Sequence, residues 1–210
     1  MEPHLKPGIS QIRNSNGYQL ALQAEQAGAE VFYMGIAPDS ENETERFIME
    51  ALDKADIVLL TGGVSMGDFD FVPKILEKTG IEVLFRTIAL QPGKPTTFGI
   101  KGSKRIFGLP GNPVSCFTIF ELLVKPLLLK MMGMTRPLTG QRLPLGTEYH
   151  RKRKDRMQWI PVQLRDGKIY PLEYHGSAHI FSLAEADALA AIPLNVTDLS
   201  TGDLMDVRPI

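Results

Sequence analysis

At 210 residues the chain is long enough to bury a full core, and 23 basic against 24 acidic residues leave a formal net charge of −1, so no global field favours nucleic acid or an anionic membrane. Its single cysteine, Cys116, excludes an intrachain disulfide framework and any multi-cysteine zinc or iron–sulfur centre. The N-terminus has no apolar signal-peptide core and no run reaches membrane-span length, which makes a cytoplasmic location the expectation.

Residues 9–132 alternate helical and strand patterns as an α/β domain with a mostly parallel sheet does. Asn14-Ser-Asn16 offers caps before a helix whose Leu20, Leu22, Ala24 and Ala27 can face a core, and Gly28 stops it. Ala29 to Ile36 reads as a strand, and Asp39-Ser40 then caps or precedes a helix with Phe47, Ile48, Ala51 and Leu52 at helical spacing. Asp56 to Thr61 is a central strand, apolar on both faces. Phe71 to Lys78 is a short helix, Ile81 to Leu90 a strand, and Pro95 to Ile100 and Arg105 to Gly108 two further short strands. Pro113 to Met132 is the longest helix, strongly apolar, with an internal Pro126 that should kink it.

Breakers without periodicity fill Gly133 to Gly140, and the domain boundary is placed there: an α/β domain over 1–135, a small all-β, barrel-like domain over 136–210. In the second part Ile160, Val162 and Leu164 alternate with other residues. Asp166-Gly167 is a hairpin turn, and Lys168 to Tyr174 returns as a strand.

Three motifs carry chemistry. The first is Thr61-Gly-Gly-Val-Ser-Met-Gly-Asp-Phe-Asp70, where Gly62, Gly63 and Gly67 let the backbone turn amides toward a ligand at the C-terminal end of a strand. Glycine amides attract an oxyanion and carboxylates repel it unless a divalent cation lies between, so Asp68 and Asp70 at the loop's end point to a metal. Asp39 follows another strand end and can converge on the same rim; alone it would be a helix cap. The second motif is Gln91-Pro-Gly-Lys-Pro95, whose prolines stiffen a turn that projects Lys94 as a point charge for an oxyanion, with Thr96 and Thr97 adding hydroxyls nearby. The third is Gly108-Leu-Pro-Gly-Asn-Pro-Val-Ser115, where Asn112 can cap, Pro113 takes the first helical position and Ser115 can add a hydroxyl to an anion-binding helix start. Plain turns and an ordinary cap are the simpler readings of each motif alone. The basic run His150-Arg-Lys-Arg-Lys-Asp-Arg156 reads as a solvated hairpin edge, not a nucleic-acid patch. His175-Gly-Ser-Ala-His179 lacks the further ligands of a zinc site and reads as a loop.

Together and in this order the three motifs closely resemble the MoeA and gephyrin E-domain family of molybdopterin molybdenumtransferases, and the likeness runs from Pro7-Gly-Ile-Ser-Gln-Ile-Arg-Asn-Ser-Asn16 into the β-rich tail. The resemblance implies a MogA-like α/β fold and a reaction in which adenylyl-molybdopterin is cleaved with a divalent cation, Mg²⁺, and molybdate is inserted to give molybdenum cofactor and AMP. It assigns Asp39 and Asp70 to the metal and phosphoanhydride, with Asp68 in support. Lys94, with Pro95 and Ser115, would hold molybdate; Gly62, Gly63 and Ser65 would line the pterin and phosphate cleft; and Thr61, Gly67, Pro92, Gly93, Pro110, Gly111, Asn112 and Pro113 would be further substrate-binding residues. Arg156 and Ser177 stand near positions that the family uses for molybdate. Gln91 replaces a lysine common in the family, and Pro161 stands where some members have arginine. Family proteins are about twice as long, with N-terminal regions that supply a further acidic residue and much of a dimer interface. The implied setting is a homodimer in full-length form and a MogA-like partner enzyme. The alternatives are a MogA-like adenylyltransferase, against which the Gln-Pro-Gly-Lys-Pro stretch and β tail argue, and a non-catalytic molybdopterin-binding fragment.

Overall fold

Strand β1 (Ile57–Thr61) alternates its side chains between two cores, and this period of two sets the layers of the first half. Val58 and Leu60 pack toward α2 (Glu41–Lys54) and α3 (Val72–Lys78), while Ile57 and Leu59 face α1 (Asn16–Gln26) and α4 (Pro113–Ile119). The computed structural model describes residues 1–38, 40–63, 72–135, 140–173 and 179–210.

Four strands form this sheet in the order β1, β5 (Lys104–Leu109), β4 (Thr97–Lys101), β2 (Glu82–Phe85). Only β1 and β5 run parallel; β5–β4 and β4–β2 are antiparallel, so the expected mostly parallel sheet is mixed among the described residues. The cause is the short turn through Gly102, at φ +56°, which returns β4 directly into β5 and leaves no room for a crossover. Ala29 to Ile36 forms no strand: Ala29 and Val31 reach the core, but Gly35 at φ +85° breaks the extended run and Phe32, Tyr33 and Ile36 are exposed. Leu22 is 56% exposed, because two residues from Leu20 is nearly the opposite side of a helix.

The expected strand Ile81 to Leu90 divides. Its first part is β2; its last residue opens β3 (Leu90–Gln91), which leaves the first sheet and pairs in parallel with β8 (Met157–Arg165) of the second. That second sheet runs β3, β8, β10 (Ala188–Ile192), β12 (Leu204–Pro209), β6 (Gln141–Pro144), with β9 (Lys168–Pro171) also on β8. A bridge between Leu145 and Ile169 joins the β6 end to β9 and closes the sheet on itself. Inward residues Ile160, Val162, Ala188, Ala190, Ile192, Met205 and Val207 fill the interior. Asp166 and Gly167, both at positive φ, form the β8–β9 turn. The short strands β7 (Tyr149–His150) and β11 (Asp198–Leu199) pair beside this barrel, and α6 (Phe181–Ala184) precedes β10.

The expected long helix is three pieces: α4, a π-helical turn at Phe120–Val124, and α5 (Lys125–Met131). Pro126 explains the break. An α-helical amide at 126 would donate to the Leu122 carbonyl; proline has none, the ladder widens so that Lys125 N–H reaches the Phe120 carbonyl, and Arg208 Nη1 of β12 donates to Leu122 O at 3.5 Å. Arg208 also lies over the Trp159 ring, 5.4 Å from its centroid, and Trp159, Leu189 and Ala191 on the barrel's outer face pack on Leu122. Among the described residues no helix is long and apolar enough to cross a membrane.

Candidate functional site

The C-terminal ends of the parallel pair β1 and β5 lie side by side, and the first and third sequence motifs leave the sheet there together. Thr61 is opposite Leu109, the Gly62 amide donates to Leu109 O at 3.4 Å, and a β-carbon on Gly111 would stand 3.8 Å from the Gly62 α-carbon. Gly62 and Gly63 take φ of +83° and +62°, which turns the backbone out of the strand at a cost that only glycine avoids.

One side chain ties the two motifs together. Asn16, at the start of α1 and 8% exposed, donates through Nδ2 to Thr61 Oγ1 and to Gly111 O, each at 2.8 Å. Thr61 Oγ1 in turn donates to Pro110 O at 3.2 Å. Cys116 Sγ, one turn into α4, is 3.7 Å from the same hydroxyl; burial pushes its thiol up to about 12, against a smaller downward pull from that contact. The amide orientation of Asn16 is fixed chemically, since Gly111 O can only accept. The sequence offers Asn16 as a helix cap, but its side chain caps nothing and instead ties both motifs, through a contact across 95 residues.

Asn112 stands at the α4 N-cap with extended backbone, but its side chain makes no capping bond to the helix; its carbonyl accepts the Cys116 amide at 2.9 Å. Pro113 opens the helix as its sequence position requires. Pro110 is buried, and Ser115 is 4% exposed, so it is packed inside and not on a solvent-open helix start.

The second motif is held from both ends. Pro92 follows a cis bond after Gln91, and Pro92 and Gly93 are buried while Lys94 is exposed and Pro95 half-buried. Lys94 O accepts from Ile88 N–H at 3.0 Å and Thr96 N–H at 2.9 Å, and Thr96 Oγ1 donates to Gly93 O at 2.7 Å. The Thr96 and Thr97 hydroxyls are both interior, and that of Thr97 has no hydrogen-bond partner among the described residues. Gly93, at φ +121°, lies against Ile119 of α4, where any β-carbon would collide at 2.4 Å with Cδ1.

Arg156 comes to the same region by way of β3. Met157 N–H, the next residue, donates to Ala89 O at 3.0 Å, so Ile88–Ala89 is bonded to the Lys94 turn on one hand and to the start of β8 on the other. The Arg156 side chain is only 17% exposed, lies 3.4 Å from Asp155, and its Nε makes no hydrogen bond among the described residues. Residues 152–155 of the basic run are exposed as a solvated edge should be, but Arg151 is 6% exposed. It departs from the expected edge because its guanidinium bonds three backbone carbonyls. Nothing in the run's composition separates it from its neighbours.

Asp39, Ser65, Gly67, Asp68, Asp70 and Ser177 lie outside the described residues, and so does His175. The proposed metal set of Asp39 and Asp70 is carboxylate only, the hard-oxygen chemistry that Mg²⁺ takes. Among the described residues no group of three or more His, Cys, Asp and Glu side chains could hold a metal ion.

Residues 8–130 match the family model described as "Probable molybdopterin binding domain", and residues 142–210 match "MoeA C-terminal region (domain IV)". The chain belongs to the MoeA family. Among MoeA relatives, it is 35% identical over 207 residues to the molybdopterin molybdenumtransferase of Bacillus subtilis, covering 97% of this chain and 48% of that protein. It is 32% identical over 211 residues to the molybdopterin molybdenumtransferase of Staphylococcus epidermidis, covering 99% and 50%. The solved structure of the molybdopterin biosynthesis MoeA protein from Pyrococcus horikosii superposes with a TM-score of 0.84 at 32% identity, over 100% of this chain and 51% of that one. The chain thus spans about half the length of the MoeA relatives it matches.

Proposed function

We propose that this MoeA-family chain acts in molybdenum cofactor synthesis, at the step where adenylyl-molybdopterin is cleaved and molybdate is inserted at the dithiolene with release of AMP. The observation that carries the reading is the Asn16 junction, which fixes the Thr61-Gly-Gly turn and the Pro110-Gly111 turn as one rim at the C-terminal ends of β1 and β5, where open α/β sheets take ligands. The family match over both halves of the chain supports it.

On this reading Gly62 and Gly63 offer backbone amides to the pterin and phosphate groups, and the exposed Lys94 offers its charge to molybdate. Arg156 adds a second cation, and Ser115 and Ser177 would add hydroxyls. Asp39 and Asp70, supported by Asp68, would hold Mg²⁺, which when bound neutralises phosphoanhydride charge. A MogA-like enzyme supplies the adenylylated substrate, and the full-length form is a homodimer.

The test is AMP release from adenylyl-molybdopterin with Mg²⁺ and molybdate, measured with the chain alone and with the N-terminal half of a MoeA relative added. Release in either arm supports the proposal, and none in both overturns it. ATP-dependent adenylylation of molybdopterin by this chain would overturn it in favour of a MogA-like activity. Asp70→Asn is expected to remove release while the circular dichroism stays that of the folded protein; unchanged release rejects that residue's role.

A further inference from the structure

We propose that Arg151 is a positioning residue for the oxyanion pocket, setting the Arg156 cation against the Lys94 turn; the inference rests on the molybdate reading above. Arg151 sits in a basic run whose next four residues are exposed, yet it is itself buried. Its Nε donates to Val196 O at 2.6 Å, Nη2 to Pro193 O at 2.6 Å and Nη1 to Arg156 O at 2.8 Å, and its own amide donates to Thr197 O at 2.9 Å. A second tie, from Asn195 N–H to Lys154 O at 2.9 Å, holds the same two loops together.

A buried guanidinium that bonds three carbonyls and, among the described residues, no carboxylate is an unusual use of a charge, because burial is costly and, of the carboxylates, only Asp155 opposes that cost, through its longer-range field. What it secures is position. The planar fork fixes three carbonyl directions at once, which an ammonium cannot do. One of those carbonyls belongs to Arg156, and the following amide, Met157 N–H, is bonded to Ala89 O. The peptide group that follows the Arg156 Cα is therefore held at both its carbonyl and its amide. The second clamp passes through Ile88–Ala89 to Lys94 O. Arg151 thus stands at the head of a bonded path that reaches both cations of the pocket without touching the ligand. Outer-shell groups of this kind hold the groups that contact a ligand in place.

The experiment is calorimetric titration of molybdate into the whole chain and its Arg151→Met, Arg151→Lys and Arg156→Gln variants. Binding of adenylyl-molybdopterin is measured in parallel, and folding is followed through emission of the single tryptophan, Trp159. Arg151→Met is expected to weaken molybdate binding roughly 10-fold or more, within the range that outer-shell partners carry, and to leave pterin binding unchanged. Arg151→Lys should restore folding but only part of the molybdate affinity, and Arg151→Met should have little further effect in an Arg156→Gln background. Equal losses for molybdate and the pterin, full affinity in folded Arg151→Lys, or additive effects with Arg156→Gln overturn the inference. If wild-type protein shows no saturable molybdate binding, the pocket reading itself fails. If wild-type binding is saturable and the Arg151 variants match it, the positioning role alone fails.

Discussion

Gly93→Ala is expected to destabilise the chain through a single side-chain collision, and the collision partner can be removed to prove it. Gly93 sits at φ +121°, and an ideal β-carbon there would lie 2.4 Å from Ile119 Cδ1 and 2.6 Å from Cγ1. Ile119 is fully buried in the core beneath α4 and cannot swing into solvent. Backbone strain at positive φ costs about 1–2 kcal/mol for a residue with a β-carbon. Forcing a methyl into a packed core costs about 1–3 kcal/mol more. The sum is roughly 2–5 kcal/mol, a large share of a domain stability of about 5–15 kcal/mol.

Ile119→Val removes Cδ1, the nearer of the two colliding atoms, and alone should cost about 0.5–1.5 kcal/mol. In the double variant the 2.4 Å contact is gone and the 2.6 Å contact with Cγ1 remains, so the clash is relieved in part and the loss should fall short of the sum of the singles by roughly 1 kcal/mol. Urea unfolding of the four proteins, followed by Trp159 emission, measures this directly. Losses that add to within about 0.5 kcal/mol, the additivity of unconnected sites, would refute the collision. So would a Gly93→Ala loss below about 1 kcal/mol, since the positive φ alone demands that much.

Asn16→Ala should cost about 1–3 kcal/mol by leaving Gly111 O and Thr61 Oγ1 without their donor, and molybdopterin affinity should fall with it; titration and urea unfolding check both. Arg208→Met should cost about 1–2 kcal/mol by removing its contacts with Leu122 O and the Trp159 ring, with a shift in tryptophan emission as the local signature. Cys116 has a thiol raised from an ordinary 9.0 to about 12, so the unfolded chain releases this proton first as pH rises. Wild-type stability relative to Cys116→Ala should be level below pH ~9 and fall above it by up to about 1.4 kcal/mol per pH unit until the native thiol also ionises; urea unfolding from pH 8 to 10.5 reads the difference.

Helices were legible wherever one stripe of apolar residues met one core. Ile48, Ala51 and Leu52 bury the predicted face of α2, and Gly28, at φ +91°, ends α1 where the sequence places the stop. Strand partners were less legible, because periodicity reports which faces are buried and not which edge is bonded. Ile81 to Leu90 is largely apolar, and the polar pair Arg86-Thr87 that follows β2 marks an end of strand without telling that the chain leaves one sheet for another. Of the candidate site, the Lys94 turn and the Thr61 to Gly63 turn could be read locally, since glycine permits positive φ and proline fixes its own φ. Asn16 and Arg151 could not be read as site-shaping, since their roles come from carbonyls far away in the chain or across a loop.

The passage of β3 into the barrel sheet changes what the second motif is. A turn confined to the α/β half would place Lys94 against that half alone. Instead, residues 89–91 are bonded to β8 just before the turn begins, and Gly93 is pressed on Ile119 just inside it. The Lys94 turn therefore takes its position from both halves. Pro126 reinforces the same junction from the other side: the amide it lacks leaves the Leu122 carbonyl to Arg208, whose guanidinium also covers Trp159 on β8. One missing N–H and one two-residue strand thus converge on β8, next to Arg156. A site assembled from two halves needs its halves held in register, and here the holding elements border the candidate oxyanion-binding cations themselves.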